Sequence, residues 1–100
     1  MNTGNEVEVF AKWRIKEGAL QNVLSLLEIV VEKSRAEEGN LFYHVHLSTT
    51  DENTLILHEG YQNESAIEAH RNADHFQTVV IDQIVPLLVE REVSMTTRKF

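Results

Sequence analysis

The chain has no cysteine, one proline, four scattered glycines and only nine basic residues against sixteen acidic ones. Without cysteine there is no disulfide, no thiolate nucleophile, no zinc-thiolate site and no iron-sulfur cluster. The formal charge of −7 repels phosphate backbones and anionic lipid, and no Lys/Arg run opposes that repulsion. This argues against nucleic acid and membrane as partners. The glycines, at 4, 18, 39 and 60, are isolated, and no G-x-G-x-x-G or G-K-[ST] element can cradle a phosphate. No apolar run approaches a membrane span. The amino-terminal MNTGNEVEVF lacks the basic leader and apolar segment of a secretory signal, so the expected location is cytoplasmic.

What remains is an ordinary globular composition, 42 % hydrophobic and 25 % charged over 100 residues. One domain is expected over 1–100, with its core at about 6–99. A domain this small withdraws only roughly 60 to 65 % of its unfolded surface from water, so its own core is modest.

VEVFAKWRI alternates, placing Val7, Val9, Ala11 and Trp13 on one side and Phe10, Lys12 and Arg14 on the other, which predicts a strand. From Ala19 to Glu37, Leu20, Val23, Leu24, Leu27, Val30 and Val31 recur at helical spacing, and Gly39 is the expected stop. LFYHVHLS and TLILHEGY read as a hairpin around TTDEN. NESAIEAH then begins a short helix capped by Asn63. DHFQ restarts helical order, with Asp74 as the expected N-cap and Gln77 at the capping-box position. Phe76, Val79, Val80, Ile84 and Leu87 form the next apolar stripe, which Pro86 makes irregular at its end, and REVSMTTR reads as a last strand.

The order predicts an α+β, ferredoxin-like βαββαβ fold, with helices on one face of a four-stranded antiparallel sheet. The other face, carrying Phe10, Phe42 and Ile56, is expected to pair with a second copy as a homodimer. Alternation places Leu41, Tyr43, Val45 and Leu47 beneath the helices, and likewise Leu55, Leu57, Glu59 and Tyr61. Glu59 is the anomaly, because a carboxylate on an apolar face must find a partner or take up a proton. The histidines of EAHRNADHF are its nearest candidates. Ser25, Ser34 and Ser65 read as helix-surface or helix-start positions and match no nucleophile motif.

His44 and His46 share a face of the second strand, and His58 lies across the hairpin; if Val45 is opposite Leu57, His44 faces His58. Three such imidazoles could bind zinc, copper or nickel, but no carboxylate completes an evident ligand set. The expectation is therefore a satisfied polar layer and no metal.

RAEEGNLFYHV, with Gly39 and Tyr43, and LILHEGYQNESAIEAHRNADHF, with Glu59, Tyr61, Ala66, His70, His75 and Phe76, resemble the characteristic blocks of the antibiotic biosynthesis monooxygenase (ABM) family. AKWRIKEG is similar to its first strand and turn. The resemblance implies a dimeric α/β-barrel with a pocket between sheet and helices in each subunit. It also implies cofactor-free oxidation of quinols or polycyclic phenols by molecular oxygen. Relatives of this fold include haem-degrading enzymes and an isomerase, so the fold does not fix the reaction. Where many members carry tryptophan after the strand glutamate, this chain has Tyr61, and the positions serving haem degradation align with Ala11 and Val80.

Cofactor-free oxygenation needs a general base, a donor for the developing anion and a dry cavity. The resemblance and the residue chemistry together assign His75 or His70 as base and Glu59 as its orienting partner. Tyr43, Tyr61, Trp13 and Phe76 become the substrate pocket for a small aromatic or quinol-like molecule, with no cofactor. An isomerase using the same base, or a ligand-binding dimer without catalysis, remains the alternative.

Overall fold

The computed structural model describes residues 5–100. The expectations for residues 1–4, including Gly4 and the start of the leader reading, lie outside the described residues.

The elements are β1 (Val7–Ile15), α1 (Leu20–Arg35), β2 (Asn40–Leu47), β3 (Thr54–Tyr61), α2 (Glu64–Asn72), α3 (Phe76–Ile84, wound as a π-helix) and β4 (Leu88–Thr96). A single 3-10 turn, Val85–Leu87, links the last two. The four strands form one antiparallel sheet in the order β2-β3-β1-β4, the ferredoxin-like arrangement.

The sheet is sided because its sequence alternates. In β1 every second residue, from Val7 through Ile15, is buried, while Phe10, Lys12 and Arg14 face outward. Helix α1 lays Val23, Leu27, Val30 and Ser34 onto the inner face, spaced four, three and four residues apart. Each fully buried aliphatic side chain in this layer contributes about 1.5–3 kcal/mol relative to exposure. Ser34, read from sequence as surface or helix start, belongs to this stripe: four residues after Val30, it is fully buried and its Oγ has no protein partner. Its spacing outweighs its polarity.

Five positions depart from the sequence expectations. Helix α1 ends at Arg35 with Ala36 as C-cap, so Gly39 is not its stop. Gly39 serves instead as a point of close approach, where an added Cβ would collide with the Cβ of Ala66 on α2. Asp74 does not cap α3, because Ala73 is the only extended residue between the helices and its carbonyl already accepts from Phe76 and Gln77. The Gln77 side chain donates back to the Arg71 carbonyl rather than closing a capping box. Leu41 and Leu47 are 44 % and 51 % exposed, not covered: β2 is the edge strand, and an irregularity between Asn40 and Phe42 breaks its register. Asn63 does cap α2, its Oδ1 accepting from the Ala66 N–H at 2.9 Å.

Candidate active site

The inner face of β3 buries Leu55, Leu57, Glu59 and Tyr61. Strand pairing sets Glu59 between Val9 of β1 and Tyr43 of β2, so an ionisable group sits in mid-sheet beneath the helices. The Tyr61 hydroxyl donates to Glu59 Oε1 at 2.6 Å. Helix α2 turns Ile67 and His70, three residues apart, into the same layer. The missing side chain at Gly39 lets α2 approach the end of α1 closely enough for the next contacts.

Those contacts centre on Glu37, a residue the sequence reading passed over. His70 Nδ1 donates to Glu37 at 2.8 Å, and His75 Nε2 donates to Glu37 Oε2 at 2.6 Å. One carboxylate just beyond α1 thus binds both histidines of the α2–α3 joint. A signal for it existed: Glu37 and Glu38 follow the carboxyl end of a helix, where the helix dipole disfavours negative charge. Glu59, expected to orient a histidine, stands 3.7 Å from His70 Nε2, beyond hydrogen-bond reach, and is held by Tyr61 instead.

Burial pushes the Glu59 carboxyl above the usual carboxylate range, opposed by the Tyr61 hydrogen bond and by His70. Burial, reinforced by the charge of Glu59, also raises the phenols of Tyr43 and Tyr61, which stay protonated as donors. With Nδ1 of His70 on Glu37, its Nε2 is the ring nitrogen on the side of Glu59.

A cavity of about 280 Å³ opens between the sheet, α2 and α3, near the lower limit of roughly 300 Å³ for small-molecule sites. Trp13, Tyr43, Glu59, Tyr61, His70 and Phe76 all line it. His75 does not; it stands behind the site, bonded to Glu37 and edge-on to the His70 ring at 6.0 Å. Arg71 and Arg91, also unremarked in the sequence reading, stand among the lining residues.

On the outer face His44 does lie opposite His58, with ring centroids 6.4 Å apart, and His46 is 6.2 Å from His44. His58 is already engaged: its Nε2 is 2.6 Å from Glu8 and its ring stacks on Phe10 at 4.3 Å. Among the described residues, the grouping with ligand geometry for a cation is a different one, Glu37, His70 and His75, whose donor atoms lie within 4.8 Å of one another. Here those atoms are joined by hydrogen bonds.

A ferredoxin-like sheet with helices on one side and an acid- and histidine-bearing cavity between them defines a class of small α+β proteins. Over residues 7–80 the chain matches antibiotic biosynthesis monooxygenase, ABM, and it belongs to that family. It is 34% identical over 67 residues to "Putative monooxygenase YcnE" of Bacillus subtilis, covering 67% of this chain and 70% of that protein. It is 30% identical over 70 residues to "Putative monooxygenase Rv0793" of Mycobacterium tuberculosis, covering 70% of this chain and 68% of that one. The solved structure of Rv0793 superposes with a TM-score of 0.88 over 95% of this chain and 96% of its own, at 25% identity. A conserved protein from Methanosarcina mazei Go1 shares the fold at a TM-score of 0.91 and 23% identity, covering 98% and 97% of the two chains.

Proposed function

We infer that the protein is a cofactor-independent monooxygenase that oxidises a small quinol or related hydroxyaromatic with molecular oxygen. Family membership and the names of its relatives support a monooxygenase-like function. The observation that carries the finer reading is His70: buried, lining the cavity, with one ring nitrogen fixed by Glu37 and the other on the side of Glu59. His70 is the base. Glu37 orients it, and His75 fixes Glu37 from behind. Tyr43 is a protonated donor on the cavity wall, the Tyr61 hydroxyl is held by Glu59, and Trp13 and Phe76 form the apolar sides.

In the reaction His70 Nε2 takes a proton from the bound hydroxyaromatic, whose anion gives electrons to O2. Bonding of carbon to oxygen forms a peroxide on the substrate. His70 returns its proton to the peroxide; the O–O bond then breaks as the oxygenated carbon loses its hydrogen, leaving one oxygen atom as a carbonyl and releasing the other as water, so no outside reductant is consumed. A second reading has its own support: because one Glu37 carboxylate satisfies both imidazoles, the cluster also works as a clamp between α1 and the α2–α3 joint in a binding dimer without chemistry. An isomerase would use the same base.

The same proposal includes residues 1–100 as one cytoplasmic domain that pairs through its outer sheet face. There Phe10 is 42 % exposed and Phe42 and Ile56 are half-buried. Among the described residues, no helix is long and apolar enough to cross a membrane.

Oxygen uptake by metal-stripped protein against a panel of hydroquinones, with His70→Ala and His75→Ala alongside, tests the assignment. The expected result is uptake above autoxidation that collapses in His70→Ala and falls less in His75→Ala. No uptake across the panel would move the weight to the clamp.

A further inference from the structure

We propose that the cavity takes an aromatic carboxylate, its ring inside the chamber and its carboxylate held at the mouth by Arg91, with Arg71 as the second cation. This rests on the reading of the cavity as the substrate site, and it narrows the substrate from hydroxyaromatics in general to acids.

The argument begins with charge. In a chain of net charge −7, with nine basic residues against sixteen acidic ones, cations are scarce. Yet two of the nine basic residues line one small cavity. Elsewhere the arginines are occupied: Arg14 is 3.5 Å from Glu90, and Arg35 donates to the Tyr43 carbonyl at 2.8 and 3.2 Å. Among the described residues neither Arg71 nor Arg91 forms an ion pair, and the side-chain contact of Arg71 is the Met95 sulfur at 3.1 Å. The planar guanidinium matches a carboxylate with two parallel N–H donors, so an unpaired arginine at the mouth of an apolar cavity suits a carboxylate carried on an apolar ring.

Strand register then places the anchor. Arg91 pairs with Trp13, Val93 with Ala11 and Met95 with Val9, so all three β4 residues lie on the inner face beside the cavity-lining strand. Helices α2 and α3 leave this strip open: Val93 is 40 % and Met95 45 % exposed. The mouth is therefore an apolar ledge bracketed by two cations. Inside, Trp13 is 3 % exposed and its Nε1–H has no partner in the protein. The cavity's small volume limits the ring system to one or two rings.

The chain's single tryptophan lines the site, so binding can be read without turnover. Under nitrogen, 1-hydroxy-2-naphthoate and its uncharged amide are titrated by calorimetry and by Trp13 fluorescence at low salt. The acid is expected to bind at least ten-fold tighter than the amide. Arg91→Gln should cost the acid about ten-fold and the amide less than two-fold; Arg71→Gln should cost the acid about three-fold. Lys33→Gln, an equal charge change on the outer side of α1, should alter neither. Both arginines are exposed, so their loss leaves the fold intact. Equal affinity for acid and amide, an equal loss of both in Arg91→Gln, or no saturable binding of either up to 1 mM would each overturn the proposal. Acid selectivity without oxygen uptake would sink the oxygenase reading and leave this one standing. Uptake without acid selectivity would do the reverse.

Discussion

The two faces of the sheet carry the same chemical vocabulary and use it differently. Each has histidines, a glutamate against an imidazole and aromatic rings: Glu37 with His70 and His75 inside, Glu8 with His58 outside. The inner side chains are 5 %, 12 % and 17 % exposed for His70, His75 and Glu37, whereas His58 and Glu8 are 28 % and 20 % exposed. Only the inner group borders a cavity with raised tyrosines and a raised glutamate. The outer one is capped by a stacked Phe10 ring. The difference teaches that the surroundings of a His–Glu pair, more than the pair itself, separate the proposed reaction centre from a surface contact.

The sharpest way to break that comparison is kinetic. His70→Ala should lower kcat by about 10²–10⁴, the usual worth of a general base, while His58→Ala should leave kcat within about three-fold. Equal losses in the two variants would erase the distinction between the faces. A second test is structural and uses two glycines. Gly39→Ala drives a methyl into Ala66 on a helix that cannot yield without moving His70, and should cost about 2–3 kcal/mol in urea unfolding. Gly60→Ala meets only the ring of Phe42 on the outer face, which can swing aside, so about 1 kcal/mol is expected. The reverse order would show the outer face to be the more rigid one.

Sequence alternation was enough to read the sheet, its inner face and the anomaly at Glu59, because a period of two leaves no freedom about which side a residue takes. It also placed His44 opposite His58, and together with the family resemblance it named six of the cavity's walls: Trp13, Tyr43, Glu59, Tyr61, His70 and Phe76. Glu37, Arg71 and Arg91 escaped because their roles depend on how elements pack, and charged residues at helix ends or on an edge strand look like solvated surface. The place of His75 was hidden for a related reason: its spacing from His70 is visible, but its position behind Glu37 depends on the turn at the extended residue Ala73. Ser34 shows the limit of polarity as a guide, since spacing alone put it in the core.

A third prediction concerns acid and base. The folded-state pKa of Glu59 is raised, chiefly by burial, so the fold favours its protonated form. Its contribution to stability is present below the ordinary carboxylate pKa of about 4.3 and is lost as pH rises through the raised value. Glu59→Gln should therefore remove a downward slope of stability between mildly acid and neutral pH, seen as a flatter urea midpoint against pH. Asp51, in the β2–β3 turn, supplies the opposite sign. Hydrogen bonds from the Asn53 N–H and the Thr54 hydroxyl hold it below the usual range, so Asp51→Asn should lose a small stabilisation present at neutral pH and absent in strong acid. Matching slopes in the two variants would contradict the burial argument.

The smallest effect expected lies in the coupling energies of the two His–Glu pairs. A double-mutant cycle on Glu8 and His58 should return about 0.5 kcal/mol, because solvent competes for both groups and screens them. The cycle on Glu37 and His75 should return about 1–2 kcal/mol, since their hydrogen bond at 2.6 Å is more sheltered and one carboxylate also serves His70. The outer pair has the same 2.6 Å contact distance, so geometry cannot be the source of any gap between the cycles. A measured gap would come from the greater shelter of the inner pair together with the second hydrogen bond that Glu37 makes to His70. Equal couplings would mean that the Phe10 ring shelters His58 as fully as the cavity wall shelters His75, and the contrast between the faces would then rest on the cavity alone.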